Sequence, residues 1–510
     1  MTGTGVDLKK PEDSMAPKNE ASFNFKKLFS DLAVYGSGNL LIKGMSLISA
    51  PIFTRIFDPS QYGAWSLINV SVAFFTGILL LGGDNAYTRF FFQCKTEEDK
   101  QTLSATWFMF LAAWSLVLLA VILPFSRVMA GWLLDSNIYH QAFLIGLLSG
   151  PPAMMNLILS QALRNRFKAK TYTALNVATA ALTLVLAVIF VLVFNLGVTG
   201  ALLGALVSAL VMMPVRLIFI RDLLKWRFSL RFLRQLLLFG LPLVPMNVAF
   251  WLLSNADRIM LARLSDLDNV GLYSIAAAMT AVLMLLQNAI GQSWLPHAVK
   301  VYEENKAYAA EVFKKTMLYL LTASGFIIVG FVALAQETLY ILVPPGYYDS
   351  FKAIPYLSIG FLFFTTAQVS AVGIMVKNKT VYIMLACWTV ALINIGLNAL
   401  FIPRWGIAGA GAATGLSYIL FAVSYFCISR RLWRVDYNWM ASAGLLFFPL
   451  CAIMAITVVA ASELGVFAAL AIKMAILLLC CLILLAILGK TEKIGLKSLV
   501  NRGISSLKKN

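Results

Sequence analysis

The sequence predicts an all-α polytopic membrane protein made of two similar halves, and three observations predict it. Sixty per cent of the residues are hydrophobic and only 13% are charged, more apolar surface than a soluble chain of 510 residues can bury. The apolar residues gather into about fourteen segments of the roughly 20 residues that a helix needs to cross a bilayer. These segments are too long and too unbroken for barrel strands of about 10 alternating residues. Finally, the chain repeats itself. Residues 54–67 read TRIFDPSQYGAWSL and residues 262–275 read ARLSDLDNVGLYSI, so that Arg55/Arg263, Asp58/Asp266, Gly63/Gly271 and Ser66/Ser274 each lie 208 residues apart. KAKT at Lys168–Thr171 and KNKT at Lys377–Thr380 lie 209 apart, as do GVTGALLGALVS from Gly197 and GIAGAGAATGLS from Gly406. Matches in one order at a near-constant offset define two halves, and in transporters the space between such halves holds the cargo.

Taken in order, residues 1–30 are polar and rich in Lys, Pro, Ser and Glu, which predicts a disordered cytoplasmic tail. Six spans follow over 31–225, near 31–57, 62–83, 102–125, 141–163, 172–195 and 197–220. Six more occupy 226–433, near 234–262, 270–294, 312–342, 352–376, 380–403 and 405–429. Two extra spans, near 440–461 and 465–489, fill 434–489, and 490–510 is a basic cytoplasmic tail. The net charge is +18, and most of the 41 basic residues fall in the two tails and in alternate loops. Basic loops stay in the cytoplasm, so the pattern fits fourteen spans with both termini inside. The basic excess therefore reads as orientation and contact with anionic lipids, with no nucleic-acid partner.

The loops argue against an enzyme. The six cysteines show no CxxC spacing, and His140 and His297 have no Cys, Asp or Glu at ligand spacing. There is no phosphate-cradling GxxxxGK[ST] and no pair of carboxylates placed for acid–base work. No catalytic residue, metal or cofactor is expected.

Ionisable groups at membrane depth are costly and mark candidate functional sites. Lys43 lies in the middle of the first span, in YGSGNLLIKGMSLISAP, and either lines a cavity or snorkels to an interface. In the seventh span, Asn247, Trp251, Ser254 and Arg258 recur on one helical face, which predicts a wet polar interior. Asp257 points about 80° away from Asn247 and pairs either with Arg258 or with another helix. Arg55 and Arg263 are shared by both halves beside a shared Asp and Gly, so they read as structural. Asp84 and Arg89, in LGGDNAYTRFFF, close a gate or cap a helix end, and Lys473 lies outside the repeat, snorkelling or meeting a helper surface. At the 208 offset Lys43 meets Trp251 and Arg258 meets Ala50, so these charges broke the repeat. A cationic, partly aromatic cavity suits an anionic cargo such as a pyrophosphate.

PIFTRIFDPSQYGAWSLI, GGDNAYTRFF, SNADRIMLARLSDLDNVGLYSIA and GIAGAGAATGLS, in this order and spacing, resemble the polysaccharide transporter family over roughly residues 30–430. That family holds the Wzx-type O-antigen and exopolysaccharide flippases of the multidrug/oligosaccharidyl-lipid/polysaccharide superfamily. The resemblance implies two six-helix bundles forming a V-shaped central cavity, and flipping of undecaprenyl-pyrophosphate-linked oligosaccharides across a bacterial inner membrane by alternating access. It carries cavity roles to Arg258 and Asp257 and, more weakly, to Arg89. It also implies contact with polysaccharide polymerase and chain-length proteins. H+ or Na+ coupling at Asp257 stays open beside drive from the membrane potential. A lipid II-type flippase, a cation-coupled drug exporter and a non-transporting scaffold of a polysaccharide synthase remain as alternatives.

Overall fold

A computed structural model describes residues 25–134, 137–377, 379–462 and 464–492. Residues 1–24 of the expected tail 1–30, and 493–510 of the expected tail 490–510, lie outside the described residues, whereas 25–30 begin α1 and 490–492 end α16, so these short stretches are helix and not tail. The chain is helical: α1 (Phe25–Thr54), α2 (Pro59–Leu80), α3 (Gly83–Gln93), α4 (Glu97–Ile122), α5 (Ser126–Leu134), α6 (His140–Asn165), α7 (Ala169–Leu192), α8 (Gly197–Phe219), α9 (Leu230–Gly240), α10 (Val244–Leu264), α11 (Leu267–Glu304), α12 (Lys306–Leu342), α13 (Ile354–Met375), α14 (Thr380–Leu432), α15 (Trp439–Ala460) and α16 (Val466–Glu492). Among the described residues, twelve helical stretches are long and apolar enough to cross a membrane. One of them, α14, is two passes. Gly406 is left-handed (φ 53°), and Asn394 donates to Ser417 (3.0 Å) while Cys387 lies 3.9 Å from the Tyr425 hydroxyl, the pairing of an antiparallel hairpin. With that division, α1, 30 residues long, would be the fourteenth pass.

The repeat is the frame of the molecule. Asp58 caps α2 by accepting from the Gln61 N–H (2.8 Å), and Asp266 caps α11 by accepting from the Asn269 N–H (2.7 Å). The two capped helices cross where Gly63 meets Gly271. A Cβ on Gly63 would sit 2.0 Å from the Leu267 carbonyl oxygen, and one on Gly271 would sit 2.0 Å from that of Pro59. Pro59 and Leu267 are themselves 208 apart, so the contact is reciprocal and a pseudo-two-fold axis runs between the glycines. Ser274 and Ser66 hydrogen-bond across it at 2.7 Å. The other matches obey the same relation. Thr96 caps α4 and Asn305 caps α12. Gly197 (φ 52°) opens α8 as Gly406 opens the second arm of the α14 hairpin, a backbone that glycine adopts without steric cost.

Departures from the repeat are local. The pass 59–93 breaks between α2 and α3 at Leu81 and Gly82, both left-handed, and the pass 230–264 breaks between α9 and α10 at Leu241–Leu243, around Pro242. The two breaks touch: a Cβ on Gly82 would meet the Gly240 carbonyl oxygen at 2.3 Å. Helix α9 packs on α3 and α4, burying Leu233 and Leu236, while the Ser229 N–H donates to Thr106 (3.0 Å). By packing, then, α9 joins the first half, and the boundary expected at 226 moves to the α9–α10 break. At the end of α6, Arg166 ion-pairs with Asp222, just beyond α8. Partial burial alone would raise the Asp222 carboxyl; the adjoining guanidinium outweighs it and holds the group below its ordinary value.

The two extra helices lean on the second half, α15 and α16 packing against α12. Lys473 neither snorkels nor reaches a surface. It is fully buried, ion-paired with Glu337 of α12 at 2.8 Å and hydrogen-bonded to Gln336.

Candidate functional site

The predicted face of α10 looks at the other half. The Trp251 ring lies 4.5 Å from that of Phe74 on α2, and Asn247, Val248 and Trp251 line a small cleft of about 110 Å3 with Ala73, Phe74 and Gly77. Asn247 and Ser254 are exposed, whereas Ala249, Leu253 and Asp257 on the opposite side are buried. The 3.6-residue period thus separates a wet stripe from a packed one.

Arg258 ends the wet stripe. Its Nη1 donates to Asn255 (3.1 Å), and its guanidinium lies over the Tyr273 ring of α11 at 5.8 Å. Its Nε is buried and has no acceptor among the described residues, and the same holds for the Trp251 indole N–H. Two orphaned donors on a face turned toward the opposite half call for an acceptor that the described residues do not supply.

Asp257 is 3% exposed and faces its own half. One carboxylate oxygen accepts from the Arg258 backbone N–H (2.8 Å); the other accepts from the Tyr273 hydroxyl and from Thr414 (3.3 Å). Of the two pairings open to it, Asp257 therefore takes the one with other helices, and its bond to Arg258 is with the backbone. It joins α10, α11 and α14 in one polar knot, which leaves the guanidinium free of a carboxylate partner among the described residues.

The remaining residues disperse. Lys43 is exposed on α1 and makes no ion pair among the described residues. It lies eleven residues from Thr54, about 16 Å in from that end, close to the depth of its repeat equivalent Trp251. Arg89 is exposed and rests on the Phe239 ring of α9 at 4.7 Å. It lies beyond the break at Leu81–Gly82, toward the opposite end of the pass 59–93 from Ser66. Arg263 donates to the Trp132 carbonyl of α5 (3.0 Å) and lies over its ring, and Arg55 is exposed just past α1. Asp84 stands in the first turn of α3 and borders a different cavity, inside the first half.

That cavity holds Arg216, which the sequence marks only as an ionisable group near the end of a span. Arg216, near the end of α8, is 2% exposed, and its side chain is bonded to Asn156, Ser160, Asn176 and Thr179 of α6 and α7. Its acceptors lie 37–60 residues away, outside any local pattern. The repeat did contain a signal. At the 209 offset Arg216 meets Tyr425, Ser160 meets Val369, Asn176 meets Leu385 and Thr179 meets Trp388.

Comparison with known proteins sets this geometry in context. The model of the polysaccharide biosynthesis protein family matches residues 28–302. The capsular polysaccharide biosynthesis protein CapF of Staphylococcus aureus is 23% identical over 206 residues, 39% of this chain and 50% of that protein, so the match spans half of the relative's length. Among solved structures, the lipid II flippase MurJ in an inward closed conformation superposes with a TM-score of 0.69 at 14% identity, over 90% of this chain and 99% of that one. An inward-facing multidrug resistance MATE family transporter of the MOP superfamily follows at 0.63 and 15% identity, over 81% of this chain and 98% of that one. At such identities the likeness is one of fold.

Proposed function

Because the chain belongs to the polysaccharide biosynthesis protein family, we propose that this multi-pass membrane protein is a flippase for undecaprenyl-pyrophosphate-linked oligosaccharide repeat units. It works by alternating access across a bacterial inner membrane, with both termini in the cytoplasm. The observation that carries the reading is the pair of orphaned donors, Arg258 Nε and Trp251 Nε1, on the face that α10 turns toward α2. An oxygen-rich anionic cargo supplies the acceptors they lack. Lys43, at the symmetry-related position of Trp251, adds a cation near the depth of that tryptophan, about 10 Å from the level of Arg258. Moving one negative charge outward across 100 mV of membrane potential releases about 2.3 kcal/mol, so the potential contributes to export of a pyrophosphate. Asp257, knotted to Tyr273 and Thr414, is where H+ or Na+ coupling would enter.

The test is charge reversal. Lys43→Glu with Arg258→Glu should abolish export of the lipid-linked glycan while the protein level stays normal. Export that persists with both replacements would falsify the cationic site. A lipid II-type flippase is the second reading, favoured by the superposition that takes in nearly the whole of MurJ. Rescue of a strain lacking its peptidoglycan-precursor flippase separates the two. A cation-coupled drug exporter fits less well, because the unsatisfied groups on the face are donors and the one buried carboxylate there is already bonded.

A further inference from the structure

Arg216 is a buried cation with no anion. Its Nε donates to Ser160 (3.0 Å) and its Nη1 to Asn156 (2.8 Å). Its Nη2 serves Thr179 (2.7 Å), Asn176 (3.0 Å) and the Leu175 carbonyl (3.3 Å). Every acceptor is neutral, and no carboxylate among the described residues forms an ion pair with it. The other fully buried cation, Lys473, has Glu337 at 2.8 Å. A guanidinium cannot shed its proton, so an uncompensated one inside a bundle remains costly however well it is hydrogen-bonded.

Geometry shows where a counter-charge would come from. Arg216 borders an open cavity of about 600 Å3 lined by residues of α1, α3, α6, α7 and α8, all in the first half. That volume is in the range of small-molecule sites. Its walls carry Asn156, Ser160, Gln161, Asn176, Thr179 and Thr183, a hydroxyl-and-amide lining of the kind that binds sugar hydroxyls. Arg164 and Asp84 also border it, so with Arg216 the formal balance is one positive charge. Five donor hydrogens meet five acceptors, but three of the contacts fall on Nη2, which leaves one Nη1 hydrogen unassigned. The second half has no counterpart, since Tyr425 stands where Arg216 does.

We propose that the first-half cavity around Arg216 is a second binding site, for a ligand bearing an oxyanion, a carboxylate or a phosphate group, whose other polar atoms meet the hydroxyl-and-amide lining, and separate from the α10 face between the halves. If the proposed function holds, two parts of the cargo have this chemistry, an acidic sugar and the pyrophosphate. The site itself rests on the cavity and needs no assumption about what is transported.

The experiment is binding to the full chain in nanodiscs, read by titration and by thermal shift, with glucuronate, inorganic pyrophosphate and glucose as probes. Glucuronate or pyrophosphate should bind and stabilise, and glucose should do so at least tenfold more weakly. Arg216→Gln should weaken anion binding roughly ten- to a hundredfold, the scale of a lost charge-assisted bond. Since Arg216→Gln also unpicks a bonded hub, Ala180→Phe gives an independent arm: it fills the cavity from its wall and leaves the hub intact, and should abolish binding. Because the α10 face would itself take pyrophosphate, glucuronate is the probe for both variants. Preference for glucuronate assigns the site to an acidic sugar and preference for pyrophosphate to the lipid-linked end; either supports the proposal. Equal binding of glucose, or unaltered glucuronate binding in Ala180→Phe, overturns it. None of these readouts depends on export, so a failed flippase assignment would leave the site standing, and the reverse.

Discussion

At the scale of single residues, the costly groups sort by whether the chain satisfies them. Lys473 and Glu337 satisfy each other, and the Gln336 amide both accepts from Lys473 and donates to the Ala460 carbonyl (3.1 Å), binding α16 and the end of α15 to α12. Removing one member strands the other. Lys473→Met should cost about 3–5 kcal/mol, and Lys473→Met with Glu337→Leu should recover most of it, because an apolar pair of similar volume carries no desolvation penalty. Melting of the purified protein in detergent measures both, and a single variant as stable as the parent would mean that the pair is idle. Arg216 and Arg258 are the opposite case, cations whose guanidinium groups form no ion pair with a carboxylate among the described residues. The sequence exposes Lys43, Asp257 and Arg258 because a charge in an apolar run is visible by itself. It does not expose the partners. Glu337 lies 136 residues from Lys473 and Tyr273 lies 16 from Asp257, and no periodicity links them.

At the scale of helices, most of the architecture was legible, because the repeat copies local devices and not merely hydrophobicity. The shared Asp is an N-cap, the shared Gly is a crossing point, and the shared Ser bonds to its own copy. What was not legible is where helices break. Leu81 is left-handed although nothing in LLLGGD requires more than Gly82 to be, and the turn at Leu241–Leu243 is set by contact with Gly82 as much as by Pro242. The crossing gives a sharp comparison between two glycines of one helix. Gly63→Ala pushes a methyl group into the Leu267 carbonyl, so it must part the halves or bend α2, at about 1–3 kcal/mol or more. Gly77→Ala on the same helix meets nothing within 4 Å and should instead gain up to about 1 kcal/mol from helix propensity. Melting temperatures that move in opposite directions are the expected result; equal shifts would show that the crossing is looser than these contacts imply.

At the scale of the whole molecule, the halves meet along α2 at the Gly63–Gly271 crossing and again where Trp251 lies against Phe74, and α5 adds the Arg263–Trp132 contact. The α10 face with its orphaned donors spans the first two levels, Trp251 beside Phe74 and Arg258 over Tyr273. Alternating access requires such contacts to open in turn, and the serine pair on the axis offers a way to hold one of them. Ser66 and Ser274 oxygens lie 2.7 Å apart, so cysteines placed there project toward each other within reach of a disulfide. The exposed Cys427 and Cys451 are first replaced by Ser to prevent other pairings. In Ser66→Cys with Ser274→Cys, oxidation should then form the cross-link and stop glycan export, and reduction should restore it, while each single variant exports under both conditions. If the cross-linked protein exports at the parental rate, cargo does not pass between the halves at that end. The carrier pathway would then have to run elsewhere, and the first-half cavity around Arg216, polar and about 600 Å3, is a place for it to begin.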